Sequence, residues 1–235
     1  MINNSIFIIT LAAAFNTAQA AIPKLSIDDA LKLPAEERPQ ALRKRGPQAY
    51  KDLRDVAFDT SKPYDLRWRA VVGMAWMGGK ESLVDLEKAV ASNDWFLRDA
   101  ALKGLEKVDQ EKAKTWARQL LSDSALVVRS SAVRVLHNLN DKESEKLLWE
   151  KLSAIENFRG SQSLFIRKQI VMTLSDFAGK EDLKEFAKLL QDKDSSVQKA
   201  AIVALEKITG ERMDENPRLA IGQWHRYLAK NKITQ

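Results

Sequence analysis

The sequence predicts an all-α fold, a right-handed α-solenoid of about five helical hairpins with capping helices. Three observations predict it. A short segment recurs at a near-constant spacing, and apolar residues inside and between its copies fall at helical intervals. The chain is also poor in the residues of tight turns, with Gly 9 and Pro 6 among 235 residues.

The copies are Leu66-Arg67-Trp68-Arg69-Ala70-Val71, Leu97-Arg98-Asp99-Ala100-Ala101-Leu102, Val128-Arg129-Ser130-Ser131-Ala132-Val133 and Ile166-Arg167-Lys168-Gln169-Ile170-Val171. A fifth, Val197-Gln198-Lys199-Ala200-Ala201-Ile202, keeps the pattern without the arginine. Their first residues follow one another at 31, 31, 38 and 31 positions. Four residues on stand Ala70, Ala101, Ala132, Ile170 and Ala201; eight on, Met74, Leu105, Leu136, Leu174 and Leu205; eleven on, Met77, Val108, Leu139, Phe177 and Ile208. Positions 0, 4, 8 and 11 form one stripe of a helix, so each copy reads as the second helix of a unit with that stripe buried. Position seven is mostly small (Gly73, Gly104, Val135, Thr173, Ala204), which permits close approach of a neighbouring helix.

A second amphipathic stretch separates successive copies: Leu83, Leu86 and Val90; Ala113, Ala117 and Leu120; Leu147, Leu148 and Leu152; Leu183, Phe186, Leu189 and Leu190. These read as the first helices, with Gly78-Gly79, Asn140-Asp141 and Gly179-Lys180 at joins. A single such hairpin cannot hide its apolar face, so neighbours must stack and share one core.

The pattern resembles the HEAT repeat family, in particular the short bacterial variety also found in phycobilin lyases, over about 47–210. That resemblance implies a polar ladder between an Asp of the turn and the Arg of the second helix. Arg67, Arg98, Arg129 and Arg167 match the Arg; Asp94 and Asp194 stand three residues before their motifs and match the Asp; Asp123, five before, fits more loosely. Gln198 breaks the series.

The ends differ from the array. Residues 1–20 read as a signal peptide: an apolar run from Ile6 to Phe15, then Ala18-Gln19-Ala20 with small residues before a cut after Ala20. The run is too short to span a bilayer, so the mature chain is expected to be periplasmic or secreted, with no transmembrane span. Residues 21–46 read as a lead-in or cap, with the array starting at Pro47. Residues 211–235 read as a capping helix that buries Trp224.

Little in the sequence carries chemistry. Cysteine is absent, so no disulfide frame or thiolate nucleophile exists. Charge is +6 with 38 basic and 32 acidic residues, which is mostly a solvated, ion-paired surface. His137 and His225 sit in no metal motif, and His137 falls opposite the buried stripe, hence exposed. No catalytic residue, cofactor or metal is assigned, and an enzyme is not expected.

Two features point to a partner instead. Trp68 and Trp76 lie off the buried stripe and, with Tyr64, Arg69 and Val72, make an aromatic and basic patch on the second-helix wall, the concave side of such stacks. The third unit is seven residues longer than the others, and its extra length around 157–163 reads as a protruding loop with Phe158 and Arg159 as contacts. The expectation is a non-catalytic scaffold that holds another protein, in the cell envelope or outside it. The alternative is a nucleic-acid-binding protein similar to the HEAT-like DNA glycosylases, which the leader disfavours.

Overall fold

The structure, a computed structural model, describes residues 25–233. The signal-peptide reading of residues 1–20 therefore lies outside the described residues.

Each of the five sequence copies is a helix, and each is preceded by an antiparallel partner. The pairs are α3 (Gln48–Phe58) with α4 (Tyr64–Met77), α5 (Lys80–Val90) with α6 (Trp95–Val108), α7 (Gln110–Leu120) with α8 (Leu126–Asn138), α9 (Glu145–Leu152) with α10 (Ile166–Phe177), and α11 (Leu183–Leu189) with α12 (Ser195–Thr209). Two short helices, α1 (Ile27–Lys32) and α2 (Arg38–Lys44), precede them, and α13 (Pro217–Lys230) follows. Pro47 directly precedes α3 rather than opening it.

Positions 0, 4 and 8 of the stripe are buried in every copy, while position 11 is only half-buried in four of them, at Met77, Val108, Leu139 and Ile208. Leu97, Ala101 and Leu105 of α6 are buried, as are Val128, Ala132 and Leu136 of α8 and Ile166, Ile170, Leu174 and Phe177 of α10. The first helices meet them with Leu86, Ala89 and Val90, then Ala113, Ala117 and Leu120, then Leu148 and Leu152, then Leu183, Phe186 and Ala187. One continuous core results, running from Leu31 in α1 to Leu228 in α13. Trp149 of α9 meets Phe186 of α11 edge-on with ring centroids 4.9 Å apart, joining two units directly.

The small residue at position seven sets the helix spacing. A Cβ on Gly104 would sit 2.8 Å from Leu86 Cδ2 and 3.1 Å from Ala75 Cβ, so α6 packs against both the first helix of its unit and the preceding second helix. Second helices pack directly on one another along the whole stack, α4 on α6, α6 on α8, α8 on α10, α10 on α12. Successive first helices approach less closely and are bridged by long polar side chains, Arg54 to Asp85 at 3.0 Å and Lys112 to Glu87 at 2.6 Å, while Arg118 of α7 reaches Asp141 in the turn before α9 at 2.5 Å. The stack therefore closes on the second-helix side, and that side is the inner wall.

Capping follows local chemistry. Asp109 accepts from the Lys112 amide at the start of α7, and Asn216 accepts from Arg218 ahead of Pro217 at the start of α13. Among the described residues no helix is long and apolar enough to cross a membrane.

Candidate functional site

The turns entering the second helices carry the arginine ladder, with an altered set of acceptors. Arg67 reaches Asp94 of the next unit at 2.9 Å and also donates to the Ala57 carbonyl of its own first helix. Arg98 grips Asp123 of the next unit through two bonds, at 2.6 and 2.7 Å. Arg167 does the same with Asp192, at 2.6 and 3.1 Å. Such bidentate pairs fix the angle between units as well as holding them.

Asp194 does not take the ladder position expected from its spacing. It caps α12 by accepting from the Ser196 amide at 2.8 Å, and Asp192, five residues before the motif, is the acceptor. Burial works to raise the Asp194 carboxyl, but bonds from Ser163 and Ser196 hold it below the usual carboxylate range. Gln198, which breaks the arginine series, still donates to the Asp192 carbonyl at 2.8 Å. The same carbonyl-binding role belongs to Arg98 with Ser92 and Arg129 with Asp123. Among the described residues α12 is followed by the single helix α13, and Gln198 keeps only that half of the role.

The extra length of the third unit is exposed from Arg159 to Gln162, as a loop there would be, but it is ordered. It folds into a small antiparallel hairpin, β1 (Phe158–Arg159) and β2 (Gln162–Ser163), turned by Gly160 at φ 61°. Asn157, just before it, is fully buried and accepts from Arg129 Nε at 2.9 Å, so it stands where the other units place a ladder aspartate. Phe158 folds inward under the Arg167 guanidinium, 4.6 Å from its ring centroid. Arg159 alone of the two expected contacts is exposed. Burial beside an amide and not a carboxylate pushes the Arg129 guanidinium down from its ordinary value, with Glu156 and Asp123 opposing.

On the inner wall the structure ties the expected aromatic residues into polar contacts. Trp68 is half-buried and donates through Nε1 to Asp99 Oδ2 at 3.0 Å. Asp99 is almost fully buried and also accepts from Lys103 at 2.6 Å and from Ser131 at 2.6 Å. Lys103 stands over the Trp68 ring at 5.3 Å. One carboxylate thus links α4, α6 and α8. Arg69 turns to the lead-in and donates to the Leu31 carbonyl at 3.1 Å, with Asp65 at 3.7 Å. Val72 and Trp76 are half-buried, and Tyr64 is the open member at 64% exposure. The lead-in thus covers one flank of the patch and leaves the other free.

The wall continues past the patch. Ser130 and Gln169 exchange two bonds, at 2.8 and 3.0 Å, between α8 and α10. Asn138 donates to Glu106 at 2.8 Å. His137, exposed as the helical wheel places it, lies 2.6 Å from Asp176, which also takes Lys207 at 2.5 Å. The Lys207 bond is the main cause holding the Asp176 carboxyl below its ordinary range, with His137 adding to it.

Sequence reasoning missed exposed apolar residues at the N-terminal ends of the second helices, Trp95, Val127 and Phe165, with Tyr64 and Trp95 both set edge-on against Phe96. Tyr64 and Trp95 both stand two residues before their motifs, a register that could have exposed the pair. Among the described residues no group of three or more His, Cys, Asp or Glu side chains is placed to hold a metal.

Five stacked hairpins, of which the first four second helices each send an arginine to the next unit, define a helical-repeat solenoid. No protein-family model matches the chain, and no curated protein does. Among solved structures it is similar to an engineered protein, at 19% identity and TM-score 0.43 over 79% of this chain and 97% of that one. It is also similar to the complex of CpcE and CpcF of phycocyanin lyase from Nostoc sp. PCC7120, at 12% identity and TM-score 0.44 over 91% and 98%. A designed armadillo repeat protein matches at 18% identity and TM-score 0.43 over 78% and 98%.

Proposed function

We propose that the chain is a non-catalytic scaffold that holds another protein against its second-helix wall, acting outside the cytoplasm after loss of residues 1–20. One observation carries the reading. The wall is braced from helix to helix by side-chain bonds, and this braced surface still presents Tyr64 and the half-buried Val72 and Trp76 to solvent. Rigid aromatic side chains on a preorganised surface are the usual centre of a protein interface, because little entropy is lost when they are covered. Arg159 at the hairpin tip supplies a second contact on the neighbouring ridge.

The test is co-purification from the native host with the double variant Tyr64→Ala/Trp76→Ala. Trp68 is left intact because its removal would strip Asp99 of a donor. The expected result is loss of the co-purifying protein with helical circular dichroism unchanged. Retention of the partner by the variant overturns the reading. Mass spectrometry of the host-expressed protein is expected to find Ala21 as the first residue.

A further inference from the structure

We propose that the C-terminal half of the inner wall, formed by α8, α10 and α12, binds an acidic, extended polypeptide segment. This rests on the scaffold reading and names the chemistry of what is held. The residues facing away from the core here stand two, six and ten positions after each motif start. They include Arg134 on α8, Lys168 and Met172 on α10, and Lys199 and Val203 on α12, all exposed. Arg134 and Met172 with Val203 border one depression of about 240 Å³.

The charges on this face are not equally free. Asp176 is occupied by His137 and Lys207, and Glu206 accepts from the Met213 amide toward the C-terminal end. Among the described residues Arg134, Lys168 and Lys199 have no such carboxylate, so the unsatisfied charge of this face is positive. Met172 and Val203, 54% and 59% exposed, stand four residues on from Lys168 and Lys199, in the register of Arg134, and give apolar seats beside the cations. A partner that matches this face offers both carboxylates and apolar side chains.

Spacing selects the conformation. Lys168 and Lys199 occupy the same register on adjacent helices, and packed helices lie about 8–10 Å apart. An extended polyproline-type chain brings every third side chain to one face after about 9 Å. Two carboxylates three residues apart would thus meet Lys168 and Lys199. A nucleic acid fits less well, since a continuous line of phosphates leaves the apolar seats of Met172 and Val203 unfilled.

The test is fluorescence anisotropy of the full chain with a labelled peptide of about twelve residues carrying Glu at every third position and Leu-Pro between. Binding should weaken several-fold as salt rises from about 0.05 to about 0.3 M, because the contacts are exposed ion pairs. The variant Arg134→Ala/Lys168→Ala/Lys199→Ala should lose about tenfold or more in affinity, three exposed pairs being removed without touching the core. Its charge-reversed counterpart with Glu at the three positions should prefer the same peptide with Lys in place of Glu. Equal binding of a Gln-substituted peptide, unchanged affinity in the triple variant, or tighter binding of oligothymidylate would overturn the proposal. The Tyr64→Ala/Trp76→Ala variant should bind the peptide normally. If it loses its native partner while wild type ignores the peptide, the scaffold reading stands and only the acidic occupant falls.

Discussion

Asp99 sits on a wall position where the repeat pattern places solvent-facing side chains, yet it is almost fully buried. The reason is its neighbours. The Trp68 ring from one side and Ser131 from the other bring N–H and O–H donors to its two oxygens, and Lys103 supplies the countercharge. A carboxylate with that many donors can leave bulk water at acceptable cost. Asp99→Ala would orphan the three donors together and is expected to destabilise the chain by about 2–4 kcal/mol, read as a lower urea midpoint. Glu145 makes the opposite case. Burial raises its carboxyl above the ordinary value, and the neighbouring Asp182, which accepts from the Gly179 amide at 2.8 Å, raises it further. A carboxyl raised in the folded state stabilises the fold below its unfolded pKa, and that contribution is lost as pH rises through the folded value. Glu145→Gln removes the ionisation. It is therefore expected to raise the denaturation midpoint at about pH 7 and to do little at about pH 4.

The hairpins were readable in the sequence because one physical rule, burial of the 0, 4, 8, 11 stripe, generates both their spacing and their residue types. Met74, Leu105, Leu136, Leu174 and Leu205 are all buried as that rule requires. The ladder was readable only in part. Its arginines lie inside helices and keep a fixed register, whereas their acceptors lie in turns whose length varies. Asp94 stands three residues before its motif, Asp123 and Asp192 five, and Asn157 nine. Asn157 was invisible to a search for carboxylates, and the inserted hairpin that places it resembled a loose loop in composition. Trp68 and Trp76 lie off the buried stripe by register yet pack partly against the core, and wheel angles carry no information about a neighbour's donors, so the Trp68–Asp99 bond could not be foreseen. The ladder yields a direct expectation. Asn157→Ala removes the acceptor of the buried Arg129 and the donor to the Lys151 carbonyl. It should cost about 2–3 kcal/mol and loosen the α8–α10 junction, seen as faster amide exchange in the 158–163 hairpin.

Because each unit touches only its neighbours, the stability of the whole array depends on how its ends are closed. At the start, α1 and α2 lay Leu31 and Leu42 over α4, with Leu42 Cδ1 only 3.3 Å from where a Gly73 Cβ would stand. At the finish, α13 covers α11 and α12 with Ala220, Trp224 and Leu228. Trp224 is fully buried and packs edge-on against Tyr227 at 5.3 Å, although its indole N–H has no acceptor among the described residues. Its value there is therefore apolar area, not hydrogen bonding. Trp224→Ala should cost about 3–5 kcal/mol at that end. The effect should not spread evenly, because in a linear array the loss of one interface releases the terminal unit first. Hydrogen exchange measured residue by residue is expected to show lost protection in α12 and α13, a smaller loss in α10, and none in α4 or α6. Uniform loss along the chain would instead mean that the units fold as one cooperative body. In that case the ladder and the Asp99 junction couple neighbours more strongly than any single unit's own stability, and local loosening of one end could not expose the inner wall without unfolding the rest.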